Sequence, residues 1–201
     1  VTGVQTCALP ISINNGSRED GFKSYNLNSE KLTLLIFGGS QGSFFINSIV
    51  QMAINKLLKL NIQIIWQTGP LHFNDFSNYE SETVKVVPFI EHMADAYAIS
   101  DLVIARSGAI TCSELTFCGK PSILFPLKTA AGNHQTKNAQ ALEQNGAAIV
   151  LDEKESDYKD LISAVSNTIL SGQTLKRMRD SCLSMSTPNA TNQIASESLS
   201  L

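Results

Sequence analysis

Long apolar runs are missing from this 201-residue chain. None approaches the roughly 20 consecutive apolar residues of a membrane-spanning helix, so no transmembrane segment is expected. An excess of charge is missing too: 15 lysines and arginines stand against 18 aspartates and glutamates, a formal charge of -3. That balance excludes a general attraction for nucleic acid or anionic lipid and leaves any phosphate binding to a local site. Cysteine is scarce. Cys7, Cys112, Cys118 and Cys182 form no CxxC pair and no metal-ligand spacing with the three histidines. A disulfide framework and a zinc site are therefore not expected, and the thiols read as reduced, as in a cytosolic protein.

What is present suffices for one well-buried domain, since 43% of the residues are hydrophobic. The first residues stand apart. Thr6-Cys7-Ala8-Leu9-Pro10-Ile11 resembles the translation of a sequencing-adapter oligonucleotide, so residues 1–12 are read as an artefact and an upstream segment is expected to be lost. The stretch has no basic flank and is too short for a signal peptide. Residues 13–30 are polar, without strong periodicity, and read as a lead-in segment.

From residue 31 a regular alternation begins. Leu32 to Phe37 is a compact apolar run ending at Gly38-Gly39, which suits a buried parallel strand. Ile46, Ile49, Val50, Ala53, Ile54, Leu57 and Leu58 then fall on one face of a helix. Further strands are expected at Ile62–Trp66, Val84–Val87, Leu102–Ala105, Ser122–Phe125 and Ala147–Leu151. Helices are expected at Met93–Ile99, Ala109–Cys118, His134–Gln144 and Tyr158–Ile169, with one or two more in the tail, the last opening at Thr187-Pro188. This succession predicts an α/β fold, a doubly wound parallel sheet in a single Rossmann-like lobe, with ligands beyond the carboxyl ends of the strands.

Three polar clusters fall at such ends. Gly38-Gly39-Ser40-Gln41-Gly42-Ser43 joins a strand to a helix and reads either as a tight turn or as a phosphate seat made of helix-start amides. It is not an ATP-binding loop, because no lysine completes GxxxxGK[ST]. It is not a nicotinamide site either: the spacing is not GxGxxG, and the second strand ends at Gln67-Thr68 with no carboxylate for a ribose. The second cluster runs from Arg106-Ser107-Gly108 to Glu114. Glu114 lies where a carboxylate accepts both hydroxyls of a ribose, but Thr111-x-x-Glu114 also fits a capping box. In the third, Gly132 to Asn138, Gln135 and Asn138 share a helix face and offer amides suited to sugar hydroxyls. His134 reads as a cap or surface residue. No DxD pair occurs, so a metal-bridged diphosphate lacks its usual ligands and no metal is expected; leaving-group charge would fall on helix-end amides.

In order, the clusters resemble the MurG-type N-acetylglucosaminyltransferases of peptidoglycan synthesis. The resemblance rests on Gly38-Gly39-Ser40-Gln41-Gly42, Phe89-Ile90-x-x-Met93, Ser100-Asp101 to Glu114, and His134-Gln135-Thr136-Lys137-Asn138-Ala139. It implies that residues 31–201 are the UDP-sugar-binding C-terminal lobe of a two-lobed GT-B fold. It further implies that Ile90 reads uracil through its backbone, Glu114 holds the ribose, and Ser40, Gln41, Gly42 and the amides around Thr111 take the diphosphate. Ala109, Ile110, Gln135 and Asn138 would contact the N-acetylglucosamine. UDP-GlcNAc would be the donor and a lipid-linked muramoyl-pentapeptide the acceptor, with no cofactor and no nucleic-acid partner. The parent would be cytoplasmic, peripheral on the membrane's inner face. The family's acceptor lobe and its Asn-Pro-x-Arg turn have no counterpart here, so a catalytic base is not expected in this chain. The other readings are a non-catalytic donor-binding subunit completed by a membrane partner, a related glycolipid transferase, and a sugar-nucleotide epimerase.

Overall fold

The computed structural model describes residues 13, 15–127 and 133–186. Six strands form one sheet: β1 (Thr33–Phe37), β2 (Gln63–Gln67), β3 (Val84–Val87), β4 (Leu102–Ala105), β5 (Ser122–Leu124) and β6 (Ala148–Val150). All five pairings are parallel, in the order β3-β2-β1-β4-β5-β6. The chain therefore builds outward from β1 to one side and then from β4 to the other. The switch point of the sheet lies between β1 and β4, where an open α/β sheet leaves its crevice.

Register makes that edge level. Phe37 pairs with both Gln67 and Ala105, and Ala105 with Leu124, so the loops leaving these strands emerge side by side. The four central strands are buried on both faces because helices cover both, while the edge strands β3 and β6 are only partly buried. Leu34 and Ile36 of β1 enter the core beneath α2 (Phe44–Leu57) and α7 (Tyr158–Ile169). Leu35 and Phe37 point the other way, toward α4 (Met93–Ile99), α5 (Ala109–Phe117), α6 (His134–Gln144) and α8 (Gly172–Met185). The expected apolar stripe of α2, from Ile46 to Leu57, is buried throughout.

Two elements differ from the sequence expectation. The lead-in stretch contains α1 (Arg18–Tyr25), capped by the Ser17 hydroxyl accepting from the Asp20 amide at 3.1 Å. Only Phe22 and Tyr25 of this helix pack against the core, too short a stripe to stand out, and polar contacts add to them: Ser17 N–H donates to Asp95 Oδ1 at 2.8 Å and Arg18 to the Ala98 carbonyl at 2.9 Å. Gly21 permits the close approach, since a Cβ there would stand 2.7 Å from Ile99. The one-turn α3 (Phe73–Phe76) also escaped the pattern; it sets Phe76 against the Trp66 ring at 5.3 Å between centroids. The proposed artefact at 1–12 and the helix expected from Thr187-Pro188 lie outside the described residues.

Candidate functional site

The site begins with the loop Gly38–Ser43. Gly42 has φ +78, and a Cβ on it would lie 2.0 Å from the Thr68 carbonyl oxygen. Gly69, opposite, has φ +87 and would meet Gln41 in the same way. Both are therefore glycine because two strand-end loops lie backbone against backbone. Ser43 caps α2, accepting from the Ile46 amide at 3.3 Å. Ser40 and Gln41 are left exposed at the loop tip.

Gln67 holds this loop from below. Its Nε2 donates to the Gly39 carbonyl at 2.9 Å, and its Oε1 accepts from the Ile90 amide at 2.8 Å. Ile90 is buried and its N–H already has a partner, so a base at this position would meet its carbonyl. Asn47 fixes the neighbouring loop, donating to the Thr68 carbonyl at 2.8 Å and accepting from Trp66 Nε1 at 3.0 Å.

Across the switch point, Arg106 leaves β4 and its guanidinium spans the crevice. It donates to the Ser43 hydroxyl at 2.7 Å and to the Phe125 carbonyl at 3.1 Å, and it ion-pairs with Glu153. An arginine so tied is an architectural clamp joining the ends of β4, β5 and β6 to the start of α2.

α5 opens directly after it. Its N-cap is Gly108, which supplies no side chain, so the amides of Ala109, Ile110 and Thr111 have no side-chain cap. The capping box that Thr111 and Glu114 suggested does not form. Thr111 is the third helical residue rather than the cap, and the Glu114 carboxylate instead accepts from the Tyr97 hydroxyl at 3.1 Å. Burial raises the Glu114 pKa, while the hydrogen bond from Tyr97 lowers it. Tyr97 is itself pushed well above the usual phenol value, by burial first and then by Glu114, so it stays a neutral donor.

α6 also starts without a side-chain cap, at Asn133 in the left-handed region. His134 is exposed there. Gln135 reaches back: its carbonyl accepts from the Ser107 hydroxyl at 2.8 Å and its Oε1 from the Leu127 amide at 3.0 Å. Asn138 is buried beneath, donating to the Ser107 carbonyl at 3.1 Å. Its Nδ2 thus supports the Arg-Ser-Gly turn.

These pieces enclose one open depression, lined by Gly38, Gly39, Gly42 to Phe45, Arg106, Gly108, Thr111, Leu127, Gln135 and Glu153. Of the residues expected to touch the donor, Gly42, Thr111 and Gln135 line it, and Ile110 is exposed beside Thr111. Ile90 and Glu114 do not line it, and both belong with Phe37 and Tyr97 on the α4 side of the sheet. Gly132 lies outside the described residues. Among those residues no three His, Cys, Asp or Glu side chains gather as a metal cluster, and no helix is long and apolar enough to cross a membrane. Sequence reasoning missed Gln67, Tyr97 and Glu153. Gln67 was visible as a polar end to an apolar strand, and Tyr97 as the one polar-tipped aromatic in an alanine-rich helix. Glu153 carried no signal.

A parallel sheet with this order is a doubly wound, Rossmann-like lobe, and its likeness to solved glycosyltransferases makes it a lobe of the GT-B kind. The structure superposes on the crystal structure of Acinetobacter baumannii MurG with a TM-score of 0.79 and 28% identity, over 96% of this chain and 56% of that one. It also shares its fold with the calicheamicin glycosyltransferase CalG4, at a TM-score of 0.64 and 14% identity over 84% of this chain and 42% of that one. Residues 33–194 match the glycosyltransferase family 28 C-terminal domain, and the chain belongs to that family. A relative in Flavobacterium psychrophilum is 38% identical over 190 residues, 93% of this chain and 51% of its own. That relative is named UDP-N-acetylglucosamine--N-acetylmuramyl-(pentapeptide) pyrophosphoryl-undecaprenol N-acetylglucosamine transferase. The chain spans about half the length of the curated relatives it matches.

Proposed function

We propose that this chain is the donor-binding half of an inverting N-acetylglucosaminyltransferase that uses UDP-GlcNAc to convert lipid I into lipid II. The observation that carries the reading is the start of α5. Three amides without a side-chain cap open at the switch point, one turn before a carboxylate that is held in place. Backbone N–H groups at a helix start favour a diphosphate, and more so as charge develops on the leaving group. The amides of Ala109 to Thr111, with Ser40, Gln41 and Gly42, take the diphosphate. Glu114 takes the ribose diol, and the Ile90 carbonyl the uracil. Ala109, Ile110, Gln135 and the Asn138 Oδ1 contact the sugar. These roles need no metal ion or cofactor.

The attacking hydroxyl and its base belong to a second lobe, which would also meet the lipid-linked muramoyl-pentapeptide at the inner face of the cell membrane. The donor-binding half is expected to bind UDP-GlcNAc by itself. Isothermal calorimetry in the presence of a chelator checks this, with UDP-GlcNAc expected to bind with its affinity unchanged by the chelator. Preference for UDP-glucose over UDP-GlcNAc, or a requirement for a divalent cation, would overturn the donor assignment.

A further inference from the structure

Tyr97 is 1% exposed, yet its hydroxyl is not spent inside the core. It reaches from α4 to α5 and donates to Glu114 Oε2 at 3.1 Å. The ring is fixed edge-on to Phe37 of β1, with centroids 6.2 Å apart. Glutamate has three side-chain torsions, and a free carboxylate at a cleft edge would lose that freedom on binding a ligand. A rigid partner removes the loss beforehand, which is how preorganisation raises affinity.

We infer that Tyr97 is a positioning residue for nucleotide recognition: it fixes the Glu114 carboxylate toward a ribose cis-diol and so sets the preference for ribonucleotides over 2′,3′-dideoxynucleotides. The inference rests on the ribose role proposed for Glu114. Each carboxylate oxygen has two acceptor positions. Oε2 can keep the Tyr97 bond and accept one ribose hydroxyl while Oε1 accepts the other.

The charge state agrees with this role. A ribose hydroxyl donates best to an ionised carboxylate, and burial works against ionisation of Glu114 while the Tyr97 bond works for it. Cys118, the C-cap of α5, also interacts with Glu114; burial above all pushes its thiol up to about 11, so it stays neutral. The phenol thus opposes the effect of burial and favours the charged form of this half-buried carboxylate.

The test titrates the whole chain with UDP and with 2′,3′-dideoxy-UDP, using the unaltered protein, Tyr97→Phe, Glu114→Gln and the double variant. Tyr97→Phe should weaken UDP about tenfold, the lower end for a hydrogen bond to a charged group, and leave the dideoxy analogue unchanged. Added to Glu114→Gln it should cost nothing further, because the two act as one unit. It should also move the loss of UDP affinity on acidification to higher pH, since Glu114 without the Tyr97 bond would protonate more readily. Glu114→Asp draws the carboxylate out of the phenol's reach with Tyr97 in place, and should lose the same ribose preference should Tyr97→Phe fail to fold. Equal loss toward both nucleotides, or an undiminished ribose preference, would overturn the role of Tyr97 and leave that of Glu114 standing. An unaltered chain that binds UDP no better than its dideoxy analogue, or binds neither, would overturn the ribose role of Glu114 and this inference with it.

Discussion

Glu153→Gln should make the protein less stable and a better binder of UDP, two effects of opposite sign from one lost charge. Arg106 and Glu153 ion-pair with side chains 13% and 22% exposed. That places the pair between the exposed kind, worth up to about 1 kcal/mol, and the buried kind, whose disruption costs about 3–5 kcal/mol. Glutamine keeps an acceptor, and Arg106 keeps its bonds to Ser43 and Phe125, so the loss should be about 1–2 kcal/mol. For a domain of this size that lowers the melting temperature by about 2–8 °C. The same substitution leaves the guanidinium uncompensated in the wall of the depression. A unit charge about 8 Å from a diphosphate, at an effective dielectric constant of about 40, contributes about 1 kcal/mol, or roughly fivefold in affinity. Calorimetry at low and high salt measures the gain, which should shrink as salt rises. A lower melting temperature with unchanged or weaker UDP binding would show that the diphosphate does not sit near Arg106, and the seat proposed here would have to move.

Two further outcomes follow from groups outside the seat. Asn47→Leu should leave Trp66 Nε1 and the Thr68 carbonyl unpaired in the core, at a cost of about 3 kcal/mol; thermal melts followed by the fluorescence of Trp66 check this, and a shift below about 3 °C would contradict it. Burial pushes the Cys112 and Cys182 thiols and the Tyr25 phenol up to about 12, so these groups ionise first in the unfolded chain and their contribution is present below about pH 9 and lost as pH rises toward 12. Lys120 opposes them, since its ammonium is pushed down to about 8 and its contribution recovers between there and about pH 10.5. The melting temperature should fall between about pH 9 and pH 11, and a rise would show that the lysine dominates.

Most of the architecture was legible in the sequence because a doubly wound sheet repeats one simple pattern. The four central strands are largely apolar runs buried on both faces, and most junctions carry glycine or a small polar residue. Strand and helix positions therefore followed from Leu32–Phe37, Ile46–Leu57 and their successors, and the clusters fell on the correct edge. α1 was not legible, since its apolar contact is only Phe22 and Tyr25, and the rest of its hold on α4 comes from Ser17, Arg18 and the bare backbone of Gly21.

The candidate site was legible only where chemistry resides in a motif. Thr111-x-x-Glu114 shows how spacing alone misleads. It satisfies a capping box, but Gly108 takes the cap position and shifts the frame by three residues, which frees both side chains. Which of them then serves a ligand depends on what meets it in space, and Tyr97 lies 17 residues away from Glu114 in sequence. Gln67, Arg106 and Glu153 act at similar or greater separations, each between loops from different strands. Their common effect is to hold the loops after β1, β3, β4, β5 and β6 in one arrangement before any ligand arrives. A nucleotide meeting such an edge orders few new groups, so the binding energy of a diphosphate on bare helix amides is not consumed in building the site. The polar residues under the loops therefore matter to function as much as those facing the cleft, although only the latter have a recognisable spacing.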